Sequence, residues 1–453
     1  MAIISEGEAR AILERVMKLS QAEECEANLS GGVAGNIRYA LNKVTTSGIV
    51  DDVQLVVQSS YGKKLGSATI NEFDDASLEK AVRRSEELAR LAPENPEWVS
   101  VEGPSKFEKS DAFVERTANI QPALRAEAAA SSINPAVKQK ATAAGFLNDT
   151  AFFQAMMNHK GLFAYHSATN ANFTVTMRTD DGQGSGWATR DANDIAKLDA
   201  AGASEVALDK AVRSRGAKAL EPGKYTVILE PAASVGLIGN MIGAFDARLA
   251  DEGRSFLSAG EGKTKIGQKL FDERVNLYSD PSYAGAPGGT WSGDGRPVEP
   301  VQWIENGVVK NVVCSRYWAR EHDYPSIPNP TNGIMTGGDK SLAEMIEDTE
   351  RGVLVTRTWY IRSVDPQSQL YTGLTRDGTF YIENGKIRYP VKNFRFNESP
   401  VIMLNNLEEL GRPERVTIGG GNIFGGFGIS TTPVMMPPMK IREFTFSSLS
   451  DAV

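Results

Sequence analysis

Among its 453 residues the chain has two cysteines, Cys25 and Cys314, and three histidines, His159, His166 and His322. Two thiols exclude a disulfide framework and fit a reducing compartment, so the cytoplasm is the expected location. No run approaches the roughly 18 apolar residues of a membrane span. The N-terminus, MAIISEGEARAILERVM, has no basic region followed by an apolar core and a cleavage site. No membrane partner is expected. Lysine and arginine form no stripe, and the net charge is −8, which argues against a nucleic-acid partner. The histidines form no His-x-x-x-His pair. No Gly-x-Ser-x-Gly elbow and no Gly-x-x-x-x-Gly-Lys-Ser/Thr phosphate loop occurs. Adjacent acids such as Asp251–Glu252 and Glu408–Glu409 read as solvated surface.

What is present reads as an α+β chain. Apolar residues Ala9, Ile12, Val16 and Leu19 follow helical spacing. Four β-like pieces follow, CEANLSG, NIRYALNKV, VQLVVQSSY and KLGSATINEF, with SGGVAG, SGIVDD and YGKK as the expected hairpin breaks. DDASLEKAVRRSEELARLA closes residues 1–95 as a helix–antiparallel sheet–helix module. PENPEWVSVEGPS reads as a connector. Residues 112–215 mix helix (VERTANIQPALRAEAAASSI, ASEVALDKAVRSRGAKAL) with strand-like NDTAFFQAMMN and ANFTVTMRT, a central region packed with the N-terminal part. Residues 220–453 carry short β-runs, including GVVKNVVCSR, RGVLVTRTWYIRSV, PVIMLNNL and KIREFTFSS. This pattern predicts a β-rich, barrel- or sandwich-like domain with inserted helices. The methionine-rich PVMMPPMKI is a candidate contributor to a dimer interface.

One stretch poses a question. In YTVILEPAASVGLIGNMIGAF a strand-like run leads into a helix with glycines at 236, 239 and 243. The Gly-x-x-Gly-x-x-x-Gly spacing is not the Gly-x-Gly-x-x-Gly of a dinucleotide site. Small residues on one helical face predict close packing instead. Metal-ligand candidates are sparse: Cys314, His322 and Asp323 lie near one another in sequence, but Cys314 reads equally as a small core hydrophobe in an apolar strand. The glycines of TIGGGNIFGGFG, Gly425 and Gly426 among them, mark where backbone can approach a bound chain closely.

Two long segments carry a resemblance. DPSYAGAPGGTWSGDGRPVEPVQWIENGVVKNVVCSRYWARE, and NPTNGIMTGGDKSLAEMIEDTERGVLVTRTWYIRSVDPQSQLYTGLTRDGTFYIENGKIRYPVKNFRF still more closely, resemble the TldD/PmbA family, once called modulators of gyrase. The resemblance implies one of two kinds. TldD-type members are zinc metallopeptidases with His-Glu-x-x-x-His on the helix after the first strand of the C-terminal domain, completed by a cysteine near the C-terminus. PmbA/TldE-type members lack these residues and pair with the first kind around a cleft where unfolded peptides are cut. Aligned on DEGRSFLSAG, the motif's first His falls on Ile238, its Glu on Gly239 and its last His on Gly243. No His, Glu or Cys lies between Gly236 and Phe245, and ERVTIGGGNIFGGFGISTTPVMMPPMKI contains no cysteine.

The chain is therefore expected to be of the PmbA/TldE type, with no catalytic residue and no metal or other cofactor of its own. Zinc would sit in a TldD-type paralogue, the expected heterodimer partner, with a homodimer as the alternative and peptide as substrate. Two rivals stand beside this reading. One is a self-sufficient metallopeptidase with ligands from Cys314, His322, Asp323 or the two early histidines, His159 and His166; the other is a non-proteolytic, homodimeric peptide-binding or regulatory protein.

Overall fold

The computed structural model describes residues 3–260, 262–417 and 432–450. Helix α1 (Glu6–Leu19) starts at a Ser5–Glu8 capping box, which satisfies two otherwise orphan amides. Strands β1 (Glu24–Ala40), β2 (Lys43–Tyr61) and β3 (Lys64–Ile70) follow, then α2 (Asp75–Leu91), capped by Asp74. Next come α3 (Glu115–Ala118), α4 (Pro122–Lys138), β4 (Ala141–Asn158), β5 (Phe163–Thr179), β6 (Ser185–Ala192) and α5 (Ala200–Arg213). The strands form a single antiparallel sheet of order β3-β2-β1-β4-β5-β6. Strands from either side of the connector thus share one ladder.

Two of the expected hairpin breaks are strand interior. CEANLSG and the first five residues of NIRYALNKV (Asn36–Ala40) belong to the one strand β1, and SGIVDD lies within β2; the chain reverses at Leu41–Asn42 instead, both at positive φ. The glycines of SGGVAG serve close approach. A Cβ on Gly35 would fall 1.9 Å from the Arg125 guanidinium, which is buried and paired with Asp149 at 2.6 Å. The helix expected over VERTANIQPALRAEAAASSI is two helices, because Pro122 opens a new first turn.

Both ends of β1, the second half of β2 and nearly all of β5 alternate in burial, and α1, α2, α4 and α5 pack on one face of the sheet. Leu29 of β1, Leu55 and Val57 of β2 and Phe153 of β4 pack with Leu13 of α1 and Leu78 of α2. Further along, Tyr39, Leu147, Phe173 and Val175 pack with Ala129 of α4 and Ala207 of α5. Burying each Leu or Phe contributes about 1.5–3 kcal/mol. The opposite face carries Asn28, Ser30, Gln54 and Gln154 among apolar Val56, Phe152 and Met156, and meets the C-terminal half.

That half begins with β7 (Gly223–Leu229), whose Val227, Ile228 and Leu229 are all buried, as a strand covered on both faces requires. It continues through α6 (Pro231–Ile242), α7 (Ala247–Asp251), β8 (Leu277–Ser279), β9 (Val301–Glu305), β10 (Val308–Val309), α8 (Arg316–His322), β11 (Gly333–Met335), α9 (Leu342–Glu347) and β12 (Arg351–Asp365). The remaining elements are β13 (Leu370–Glu383), β14 (Lys386–Pro390), β15 (Phe394–Glu398), α10 (Pro400–Asn405), β16 (Leu407–Leu410), β17 (Glu414–Thr417), β18 (Pro433–Met436) and β19 (Met439–Leu449). The path β12-β7-β19-β15-β13 closes on itself through the β12–β13 pairing, so the domain contains a five-stranded barrel rather than a sandwich. A second sheet, β10-β9-β8-β11-β18-β17, lies alongside. One expected β-run is helical: in PVIMLNNL, Pro400 sits in the first turn of α10 and Met403 and Leu404 face the core. PVMMPPMKI contributes to the core, with Val434, Met436 and Met439 buried and Met435 half-buried. Among the described residues no helix is long and apolar enough to cross a membrane.

Candidate functional site

The polar face of the N-terminal sheet is built by register. Asn28 and Ser30 of β1 lie opposite Val56 and Gln54 of β2 and opposite Met156 and Gln154 of β4. Gln154 in turn lies opposite His166 of β5. The C-terminal domain roofs this face with the loop 287–296, the turn 329–332 and the ends of β17 and β18, leaving a cleft of about 580 Å³. The roof is tied together: Thr331 Oγ1 donates to Gly289 O at 2.7 Å, and Asn332 Nδ2 donates to Ala286 O at 2.7 Å. Trp291 anchors it on Met156 and Leu162. Gly295, at φ +82°, turns the chain where a Cβ would meet Leu162 at 3.1 Å.

Charge crosses the cleft at one edge. Arg415 of β17 donates from Nε to Asp191 Oδ2 of β6 and from Nη1 to Asn193 Oδ1, each at 2.6 Å. Asp191 also accepts from Asn170 and Asn172. Two buried donors at the cleft, Trp291 Nε1 and Arg415 Nη2, have no hydrogen-bond partner among the described residues. His166 is buried against Phe152, edge to face at 6.4 Å, and burial pushes its imidazole down to about 4, so it is neutral here. His159, by contrast, sits in the turn after β4, where its Nδ1 accepts from the Cys25 amide at 3.4 Å.

Helix α6 borders a second, smaller cavity of about 30 Å³. Its N-cap Glu230 accepts both carboxylate bonds from Lys210 of α5 at 2.7 Å and joins the two halves. Val235, Ile238, Gly239 and Ile242 face the cavity, opposite Leu277, Trp303, Val434 and Met436. Gly243 ends the helix and is exposed, its amide bonded to Gly239 O at 2.9 Å. The close packing predicted for the glycines is present at Gly236, where a Cβ would lie 2.8 Å from Ile361 Cδ1. A zinc ion needs deprotonated N, S or O ligands; among the described residues this lining has no His, Cys, Asp or Glu side chain, burial pushes the Tyr278 phenol up and so keeps it protonated, and the polar atoms of Asn332 are committed to backbone partners. The residues around α6 do not fit a zinc ion.

Cys314, His322 and Asp323 do not converge. Cys314 lies outside any named strand and is buried, with burial pushing its thiol up to about 11. His322 is exposed at the end of α8, stacked on Trp318 at 3.9 Å, and Asp323 caps that helix at φ +57°. Among the described residues no group of three or more His, Cys, Asp or Glu side chains is placed to hold a metal. Gly425 and Gly426 lie outside the described residues; the flanking Arg415, Thr432 and Pro433 line the large cleft. Sequence reasoning did not find Trp291, Arg415 or Asp191. The available signal was the polar alternation along β1, β2, β4 and β5, which reads equally well as a solvated sheet face.

An antiparallel sheet with helices on one face and a barrel domain roofing the other defines the architecture. The family profiles match it in series: PmbA/TldA metallopeptidase domain 1 over residues 25–89, the central domain over 108–215 and the C-terminal domain over 222–448. The chain belongs to the PmbA/TldD family. It is 28% identical over 230 residues to a metalloprotease of Methanothermobacter thermautotrophicus, an alignment covering 47% of this chain and 48% of that protein, so it spans about half the length of that relative. It is 23% identical over 472 residues to the metalloprotease PmbA of Escherichia coli O157:H7, covering 97% and 98% of the two chains. The fold is shared with the crystal structure of TldE from Thermococcus kodakarensis, at TM-score 0.85 and 19% identity over 97% of this chain and 100% of that one. It is also shared with a putative modulator of a DNA gyrase from Thermotoga maritima, at TM-score 0.83 and 16% identity over 97% and 100%.

Proposed function

We propose that this chain is a PmbA/TldE-type, non-catalytic subunit of a cytoplasmic zinc-dependent peptidase assembly. It would pair with a TldD-type paralogue, or with itself in that partner's absence, and contribute one wall of a peptide cleft. The observation that carries this reading is the cavity-facing side of α6, which is Val235, Ile238, Gly239 and Ile242. Metal-assisted hydrolysis needs imidazoles and a carboxylate base at such a position, to hold the ion and to take a proton from its bound water. Peptide as ligand is supported by the large cleft. Its floor offers amides and hydroxyls, and Trp291 Nε1 and Arg415 Nη2, which have no partner among the described residues, call for acceptors such as main-chain carbonyls.

The test is cleavage of an unfolded peptide by the purified chain, alone and mixed with a paralogue carrying His-Glu-x-x-x-His. The expected result is no cleavage alone and a rise in the partner's activity on mixing. Cleavage by the chain alone, abolished by a chelator and by His322→Ala, would overturn the reading in favour of an independent metallopeptidase. Peptide binding without any effect on a partner would favour a regulatory homodimer.

A further inference from the structure

Beside the large cleft, and sharing Gly293 and Asp294 with it, lies a separate cavity of about 290 Å³. Its floor is the far end of β1 and β2, where Glu24 lies opposite Ser60 and Glu26 opposite Gln58. Its walls are Trp98 on the connector and Asp294 and Arg316 from the C-terminal domain. Most of the charges around it are matched. Glu24 is 3.7 Å from Lys160, Asp294 is 2.9 Å from Arg296, Arg316 is 2.5 Å from Glu102, and Glu97 is 3.0 Å from Arg248. Glu26 remains. Its carboxylate accepts one bond, from Asn28 Nδ2 at 3.0 Å, and among the described residues it has no cation within ion-pair distance. Burial pushes its pKa upward, the neighbouring Asp294 and Glu24 add to this, and the bond from Asn28 and the more distant Arg316 charge offset it in part.

A second observation is independent of the acids. Ser60 is 3% exposed and its Oγ has no hydrogen-bond partner among the described residues. Strand alternation aims it at the cavity, since the neighbouring Ser59 faces the other way and bonds Ser85 of α2 at 2.8 Å. One unmatched negative charge, one free hydroxyl and an indole ring together complement a group with a single positive charge and several N–H donors on an aliphatic stem. A divalent metal is a poor fit, because the other carboxylates are already committed.

We propose that this cavity is a subsite for a primary ammonium group, held by Glu26 and Ser60 beside the Trp98 ring. A peptide supplies that group from its N-terminus or from a lysine side chain. Naming peptide as the source rests on the cleft reading above; the ammonium site itself does not. Bound by its N-terminus, a peptide would enter the cleft from this end.

The experiment is calorimetric titration of the full chain with butylammonium chloride at fixed ionic strength, with butanol as the neutral control. Three forms of one unstructured peptide are then compared: free N-terminus, N-acetylated, and N-acetylated with one lysine added. Saturable butylammonium binding is expected, weakened about tenfold or more by the isosteric Glu26→Gln and less by Ser60→Ala. Thermal melts verify that both variants are folded. If the free peptide binds about tenfold more tightly than the acetylated one, the N-terminus is the source; if the added lysine restores binding, the side chain is. Butylammonium binding unchanged in Glu26→Gln, or no saturable binding together with indifference to acetylation, overturns the proposal. Butylammonium binding with no peptide bound in any form keeps the ammonium site and sinks the cleft reading.

Discussion

Arg415 and Asp191 are 224 residues apart in sequence, yet Arg415 Nε donates to Asp191 Oδ2 at 2.6 Å. This ion pair ties β17 of the C-terminal domain to β6 of the N-terminal sheet. The Asp191 side chain is 1% exposed and that of Arg415 13%, so both charges are largely out of water. Breaking such a pair leaves an uncompensated buried charge, which costs more than the intact pair contributes. Arg415→Ala is expected to destabilise the chain by about 3 kcal/mol, read as a lowered urea midpoint. Arg415→Lys should recover only part of this, because an ammonium cannot serve Asp191 and Asn193 through a planar fork. Adding Asp191→Asn to Arg415→Ala should lessen the loss; equal midpoints for wild type and Arg415→Ala would refute the assignment.

His166 gives the protein an acid-side sensitivity. Its folded-state pKa, lowered by burial to about 4, lies below the ordinary value of 6.5. Between those values the unfolded chain takes up a proton that the folded chain refuses, so stability rises with pH across that window. Above it His166 has no effect; as pH falls through it the penalty grows to on the order of 3 kcal/mol. Urea titrations at about pH 7 and about pH 4.5 should therefore diverge less for His166→Gln than for wild type. An identical pH dependence in both would show that His166 is not the responsible group.

Gly66 of β3 lies under α2, where a Cβ would fall 2.2 Å from Ala89 N and 2.3 Å from Ser85 O. Both are helix backbone atoms, which cannot rotate away. Gly66→Ala is expected to cost about 1–3 kcal/mol through displacement of α2, whereas Gly48→Ala, with open space around its Cβ, should change the melting temperature little. Comparable melts for the two variants would contradict the packing described.

Purified protein is expected to hold zinc well below one ion per chain after dialysis, since among the described residues the lining around α6 has no His, Cys, Asp or Glu side chain. Cys314→Ser and His322→Ala should leave that figure unchanged. Elemental analysis giving about one zinc per chain would reject the non-catalytic assignment outright.

Local sequence determined much of the architecture. The helical spacing of Ala9, Ile12, Val16 and Leu19 and the cap at Ser5 set α1, and the cap at Asp74 starts α2, since both signals act within a few residues. The apolar run Val227–Leu229 gave the buried strand ahead of α6, and the missing His and Glu at Ile238, Gly239 and Gly243 were legible as residue types. Tertiary structure decided the rest. SGGVAG looked like a turn because glycine is permissive, yet Arg125 and partner strands require it as strand interior. PVIMLNNL carries apolar residues compatible with either period, and its packing against the core made it helical. The polar stripe on β1, β2, β4 and β5 is the same whether it faces water or a roof. Only the docking of the C-terminal domain, through contacts such as Arg415–Asp191, turned that stripe into a cleft, because long-range pairing leaves no local trace in the chain.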